Sequence, residues 1–320
     1  MLHFYITCYP SHHNMKEGSP MKVLGLNFGR DRQQCESYLV KALEGAAAAG
    51  AETELVRMCN LNIKRCIGCG SCTRGWIKEG KQCKCIHKDD FQAVMEKILD
   101  ADAIIVAAPV YVLAPTGMFK DFVDRMGPAH DFVVMYNTNI ERIAKGQDPI
   151  DPRALKRKYV AYISVGGARV QHWVSFGLPT MQTFGFPMHM KVVDQLDIYG
   201  AYGSPARAQM FAERATELGG NVTAAIGQDP DSLVWPAEPG TCPVCHGNHL
   251  TILGTGTQVE CPICGITGEM AIVDDEIQVT FSAEQQYHSR LNWGGLEDHY
   301  NELHVEPARR AVAAAAAATE

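Results

Sequence analysis

The chain has 320 residues, of which 46% are hydrophobic and 20% charged, and a formal net charge of −7. That length suits about two domains of an ordinary folded protein, and the composition excludes a disordered chain. The acidic balance argues against a nucleic-acid partner held by bulk electrostatics, and no run of 18 or more apolar residues exists to cross a membrane.

Residues 1–20 lack a cationic flank and a small-residue cleavage site, so they read as a disordered extension rather than a signal peptide. The cytoplasm is then the expected compartment, where thiols stay reduced, and the 12 cysteines need an explanation other than disulfides. From Met21 onward, apolar runs alternate with helical patterns. Residues 22–28 (KVLGLNF) form a buried strand by their continuous apolar character, and 33–50 an Ala-rich helix closed by Gly50. A strand is expected over 52–58, then a helix over 91–99 with Asp89 and Asp90 as N-cap candidates. A third strand covers 103–108, followed by Pro109 and a helix over 116–125. A fourth strand falls at 159–165, a fifth at 191–199, and a last helix at 205–226, which Gly219 and Gly220 threaten to split.

Strands separated by helices imply an α/β fold with a parallel sheet, because each crossover helix must cover a sheet face. The domain reading is therefore 21–226 for the α/β unit, a Pro/Gly/Asp-rich linker at 227–240, a cysteine-bearing β segment at 241–282, and a C-terminal segment at 283–320. Residues 127–152 read as an insertion that shapes a substrate pocket or a subunit contact. Residues 283–304 are polar and aromatic and expected to pack back, while the alanine run at 311–318 has nothing to bury.

Cys242-Pro-Val-Cys245 and Cys261-Pro-Ile-Cys264 are two C-x2-C knuckles separated by 15 residues. Each presents two sulfurs from a tight turn, and together they complete a tetrahedral S4 site. Gly265 suits the end of the second turn because glycine accepts positive φ. A segment of about 40 residues is too small for a core of its own, so metal is what lets it fold. Structural zinc is expected and iron is the alternative; His246 reads as a surface residue, since four sulfurs already close the site.

A second group, Cys66-Ile-Gly-Cys69-Gly-Ser-Cys72, is followed after ten residues by Cys83 and then Cys85. Three thiols at this spacing can point into one small volume, as iron–sulfur ligation requires. A [4Fe–4S] cluster would take Cys66, Cys69, Cys72 and either Cys85 or Cys83; free redox thiols beside an active site are the other reading. Both stay open.

LNIKRCIGCGSC at 61–72, CIHKDD at 85–90 and ADAIIVAAPVYVLAPTGMFKDFVDR at 101–125 resemble the NADPH-dependent FMN reductase family, especially its iron–sulfur flavoprotein branch. The likeness runs from about Met21 to Ile226, and the C-terminal segment resembles a zinc ribbon or, more distantly, rubredoxin. The resemblance implies a flavodoxin-like sheet of strand order 2-1-3-4-5, FMN at the carboxyl ends of the strands, and a dimer or tetramer. It also places Cys85 at the family's last cysteine position.

FMN phosphate then belongs after the first strand, at the N-terminus of the first helix, where free N–H groups and the dipole favour an anion. Asn27, Gly29, Arg30, Arg32, Gln34 and Ser37 are the candidates there. Pro109, Val110 and Tyr111 correspond to the turn along the isoalloxazine edge, continued by Thr116 and Gly117. Gly166, Gly167 and Ala168 would allow backbone to approach the ring. Arg169, His172 and Trp173 are candidates for the substrate side or for packing, and Lys120, Asp124 and Arg125 for capping and charging their helix. The implied activity is an FMN-dependent oxidoreductase passing electrons from NAD(P)H or ferredoxin to a small-molecule or protein acceptor. A non-enzymatic electron carrier or redox sensor is the alternative. No G-x-G-x-x-G fingerprint is present, and no single catalytic side chain stands out.

Overall fold

The computed structural model describes residues 20–75, 85–235, 237–307 and 309–310; residues 1–19, Cys83 and the alanine tail lie outside them. In chain order the elements begin with β1 (Lys22–Asn27), α1 (Gln34–Ala48), β2 (Glu52–Arg57), α2 (Ser71–Arg74), α3 (Phe91–Asp100), β3 (Ala103–Tyr111), β4 (Ala114–Pro115) and α4 (Gly117–Ala129). There follow α5 (Phe132–Ala144), β5 (Tyr159–Val165), α6 (Gly177–Met181), β6 (Lys191–Ile198) and α7 (Pro205–Ala225). The C-terminal part holds β7 (Thr251–Ile252), β8 (Gln258–Cys261), β9 (Ile266–Val273), β10 (Glu276–Thr280), α8 (Ala283–Tyr287) and α9 (Trp293–Tyr300).

The continuous apolar runs become the central strands. β1, β3 and β5 are buried along nearly their whole length, and all five long strands pair in parallel in the order β2-β1-β3-β5-β6. That is the expected 2-1-3-4-5 order once β4, which pairs antiparallel with the end of β3, is set aside. α1 and α7 cover one face of the sheet, and α3 and α4 cover the other, so the strands bury both faces. No helix among the described residues is long and apolar enough to cross a membrane.

The feared split at Gly219 and Gly220 does not occur, and α7 runs unbroken over 21 residues. A Cβ on Gly219 would sit 1.8 Å from the Ala42 carbonyl oxygen, and one on Gly45 1.9 Å from that of Thr216. The two glycines let the α1 and α7 backbones touch. The stretch 127–152 is mainly the end of α4 and all of α5, and α9 packs on it: Trp293 meets Tyr136 edge-on at 5.2 Å. Residues after 283 thus pack back, as their aromatic content suggests.

Asp89 and Asp90 do more than start α3. Asp90 sits at the cap position without a side-chain cap bond, and its Oδ2 instead accepts the Asn62 N–H at 2.7 Å. Asp89 accepts the Lys64 N–H at 2.8 Å and is gripped by both Arg125 guanidinium nitrogens at 2.6 and 2.9 Å. Arg125 also donates to the Lys64 carbonyl at 2.9 Å and lies 4.2 Å over the Phe91 ring. This corrects the reading of Arg125 as a residue that caps and charges its helix, because its side chain and that of Asp89 are buried against each other. Burial alone would raise the Asp89 carboxyl, but the Arg125 guanidinium and the Lys64 and Phe91 N–H groups outweigh it and hold its pKa at about 2. Lys120 and Asp124 do lie on the exposed surface of α4, where they form an ion pair.

Two stability measurements follow from these contacts. Gly219→Ala lowers the thermal midpoint, by an amount on the order of 1–3 kcal/mol in stability, although Ala is the better helix former by about 1 kcal/mol. Gly220→Ala, which meets open space, leaves the midpoint unchanged or raises it; equal gains in both variants would contradict the helix contact. Asp89→Asn costs about 3–5 kcal/mol in denaturant unfolding by stranding a buried guanidinium, and Asp89→Leu combined with Arg125→Met recovers most of it. A single-variant loss below about 1 kcal/mol would show that the pair is not the clasp of the cysteine segment.

Candidate functional site

Strand order reverses beside β1 and β3, and a doubly wound sheet opens its ligand crevice at that point, beyond the carboxyl ends of the strands. Three loops border it. After β1, buried Asn27 shapes the turn: its Oδ1 accepts the Gly29 N–H at 2.8 Å and its amide donates to Glu36 at 3.1 Å. Gly29 is pressed on Cys35, where an added Cβ would come within 2.7 Å. Gln33 occupies the N-cap of α1 without a side-chain cap bond, which leaves first-turn N–H groups for an anion. Arg30, Arg32, Gln34 and Ser37 are exposed around that helix end, with the Ser37 hydroxyl donating to the Gln34 carbonyl at 2.8 Å.

Glu36 was not legible as part of this loop. It accepts the Arg32 N–H at 3.2 Å and both Arg57 guanidinium nitrogens at 2.9 and 2.7 Å. The hydrogen bond from Arg57 holds its carboxyl below the ordinary range against the opposing effect of burial. Arg57 is spent on this acid and on Asp31. Among the described residues, the Arg30 and Arg32 guanidinium groups are in no ion pair, so they are the cations left for a phosphate.

The second loop is a hairpin. Pro109, Val110 and Tyr111 continue β3, and Val110 and Tyr111 pair with Pro115 and Ala114 of β4. The two turn residues are Val112 at φ 51° and Leu113 at φ 72°. Such turns ordinarily take Asn-Gly, and a β-branched residue at positive φ is strained. Leu113 accepts the Phe176 N–H at 3.1 Å, which ties this hairpin to the segment after β5. Thr116, at the N-cap of α4, makes no cap bond, and its buried Oγ1 has no partner among the described residues. Gly117 beside it faces open space. An orphan hydroxyl next to a helix start and an open backbone is a donor set that fits a flavin edge.

In the third loop, Gly166 donates to the Ile198 carbonyl at 2.7 Å, and a Cβ there would strike Val174 at 2.0 Å. Its small size therefore serves packing as well as any ring approach. Gly167 faces open space, and the Ala168 carbonyl accepts the Gly200 N–H at 2.6 Å. Arg169, His172 and Trp173 are exposed beyond it, the last two with rings 5.6 Å apart.

The 66–72 segment turns on two glycines, Gly68 at φ 64° and Gly70 at φ 66°. The Gly68 N–H points at the Cys66 sulfur at 3.4 Å. Hydrogen bonding with Ser71, the backbone N–H first, holds the Cys69 thiol below its ordinary pKa, while burial raises that of Cys72. Cys85 lies against the Arg125 guanidinium. Among the described residues, Cys66, Cys69, Cys72 and Cys85 are not gathered into one ligand set.

The C-terminal quartet is gathered. Cys242, Cys245, Cys261 and Cys264 are all buried, with ligand atoms within 4.8 Å of one another. Cys242 and Cys264 sulfurs are 3.6 Å apart, and those of Cys245 and Cys261 3.5 Å. A tetrahedron of thiolates about 2.3 Å from zinc has edges of about 3.8 Å, so the sulfurs fit such an ion. The Gly247 and Cys264 N–H groups each reach a knuckle sulfur at 3.4 Å, and Gly265 takes φ 70°. His246 is not a free surface residue: its ring stacks on Trp235 at 3.5 Å. The antiparallel sheet β10-β9-β8-β7 carries this site, and the Gln182 amide joins it to the α/β unit by donating to Gln195 at 3.2 Å and to the Cys245 carbonyl at 3.5 Å.

Comparison with known proteins agrees with this architecture. The family described as NADPH-dependent FMN reductase matches residues 21–199. A flavone synthase of Aspergillus candidus is 30% identical over 292 residues, covering 88% of this chain and 88% of that protein. An iron–sulfur flavoprotein of Methanosarcina thermophila is 34% identical over 150 residues, 47% of this chain and 65% of the relative. The solved structure of a flavone reductase superposes with a TM-score of 0.74 at 26% identity, covering 91% of this chain and 92% of that one. Since the family match spans the sheet together with all three crevice loops, the chain belongs to the NADPH-dependent FMN reductase family of flavodoxin-like flavoprotein oxidoreductases.

Proposed function

We propose that this protein is an FMN-dependent oxidoreductase that draws electrons from NAD(P)H and exchanges hydride with a flat, oxygenated aromatic acceptor of the flavone type. The observation that carries the reading is the likeness to a flavone synthase over 88% of both chains, a span long enough to include the cysteine ribbon. When bound, FMN supplies the hydride chemistry, and the protein supplies placement and exclusion of water.

The uncapped α1 N-terminus, with Gly29, Arg30, Arg32, Gln34 and Ser37, holds the phosphate, and Asn27 keeps the loop in shape. Pro109, Val110, Tyr111, Thr116 and Gly117 would hold one edge of the ring system, and Gly166, Gly167 and Ala168 would let backbone approach it. Tyr111, Trp173 and Phe176 are exposed at the mouth of the crevice and offer flat apolar surfaces to an aromatic acceptor. Cys242, Cys245, Cys261 and Cys264 hold structural zinc.

A second reading adds a [4Fe–4S] relay at Cys66, Cys69, Cys72 and Cys85, with ferredoxin as a possible donor in place of NAD(P)H. It is favoured by the likeness to iron–sulfur flavoproteins and by the N–H to sulfur contact at Cys66. It requires the four thiols to draw together around iron.

Steady-state turnover tests the main reading. With NADPH and a flavone varied together, initial rates give parallel double-reciprocal lines and a product two hydrogens richer; flavone that is never converted while a quinone is reduced would remove the flavone class. Metal analysis returns about one zinc per chain, and Cys261→Ser with Cys264→Ser returns none. Full zinc in that double variant would contradict the S4 assignment.

A further inference from the structure

Beside the crevice lies a second concavity that the flavin site does not use. It is a cleft of about 180 Å³ between α6, β6 and the cysteine ribbon. One wall comes from the segment just after the Gly166–Ala168 loop, the other from residues after the first knuckle. That volume admits a single substituted ring and not a whole drug-sized ligand, whose pockets begin at about 300 Å³.

The polar lining is incomplete in a particular way. Gln182 is 98% removed from solvent, and its amide nitrogen is engaged by Gln195 and Cys245, yet its Oε1 has no hydrogen-bond partner among the described residues. Burial pushes the Asp197 carboxyl up while hydrogen bonds from Ser164 and Gln171 oppose that rise, and its buried Oδ1 is left without a partner of its own among the described residues. On the ribbon side, His249 Nδ1 is buried without a partner, and its ring lies 5.6 Å from that of Phe176, tilted by 34°. Buried polar atoms are nearly always satisfied, and three orphans around one concavity mark a place where an outside group completes them.

The chemistry of that group follows from the lining. Two of the orphans are oxygen acceptors, so the ligand must donate. Among the described residues no lysine or arginine lines the cleft, which disfavours phosphates, carboxylates and hence the nicotinamide dinucleotide. Leu178, Pro179 and Ile263, with the Phe176–His249 ring pair, supply apolar and flat surface.

We propose that this cleft binds the hydroxylated ring of a phenolic small molecule, with Gln182 Oε1 and Asp197 Oδ1 accepting its hydroxyl protons and His249 closing over its face. The proposal deepens the function given above and rests on it for the identity of the ligand as the redox acceptor, though not for the binding itself. It gives the zinc ribbon a second task, as one wall of the acceptor site, so metal and acceptor specificity become linked through the first knuckle.

Equilibrium binding of a hydroxylated flavone and of its unsubstituted parent to the FMN-loaded protein, in the absence of NADPH, tests it. The wild-type protein binds the hydroxylated compound at least tenfold more tightly. Gln182→Leu abolishes that preference, and His249→Ala weakens the hydroxylated ligand about tenfold, with FMN and zinc contents reporting that both variants are folded. Because Gln182 is buried, His249→Ala on the half-exposed ribbon edge serves if Gln182→Leu loses FMN or zinc. Equal affinity for the two compounds, an unchanged preference in folded Gln182→Leu, or undiminished affinity in folded His249→Ala overturns the proposal. Binding that behaves as expected without any turnover of the flavone would leave this site standing and remove the acceptor assignment instead.

Discussion

The controlling constraint is that β1, β3 and β5 are buried on both faces. Parallel strands of this kind must be joined by crossovers that place helices on both sides, and the loops that remain free gather at the carboxyl ends. Every proposed flavin contact hangs on one of those loops. The two helices on one face must also share that face, and the contact of Gly45 and Gly219 with the opposite helix backbone lets α1 and α7 pack side by side. On the other side the Arg125–Asp89 pair fastens the cysteine segment to α3 and α4, so the same layer that closes the core also fixes where Cys66 and Cys69 emerge.

Much of this was legible in residues taken singly or in short runs. KVLGLNF, AIIVAA and 159–165 are short, mostly apolar stretches bounded by helical patterns, which suits strands buried on both faces. The cysteine quartet was legible because its chemistry is local: two C-x2-C turns carry their own geometry, whatever surrounds them. The hairpin of Val112 and Leu113 was not, since neither residue signals positive φ; its conformation is imposed by pairing with β4 and by the Phe176 N–H bond to Leu113. Gly219 was misread as a helix breaker because its value lies in what α1 brings against it. Arg125 and Glu36 were misjudged or missed for the same reason: their partners are 36 and 21 residues away.

The cleft beside the ribbon shows the limit most clearly. Its orphan atoms come from Gln182, Asp197 and His249, which no spacing rule connects. The α/β fold sets Gln182 near Asp197, and the ribbon brings His249 to them through contacts such as the Gln182 amide donating to the Cys245 carbonyl of the first cysteine knuckle.

The most direct test of the central claim is an anaerobic absorption titration of the purified protein. On this account the oxidised flavin bands are present or appear on adding FMN, bleach with about one equivalent of NADPH, and return when a flavone is added. A protein that binds no FMN, or whose flavin stays oxidised under excess NADPH, would contradict it.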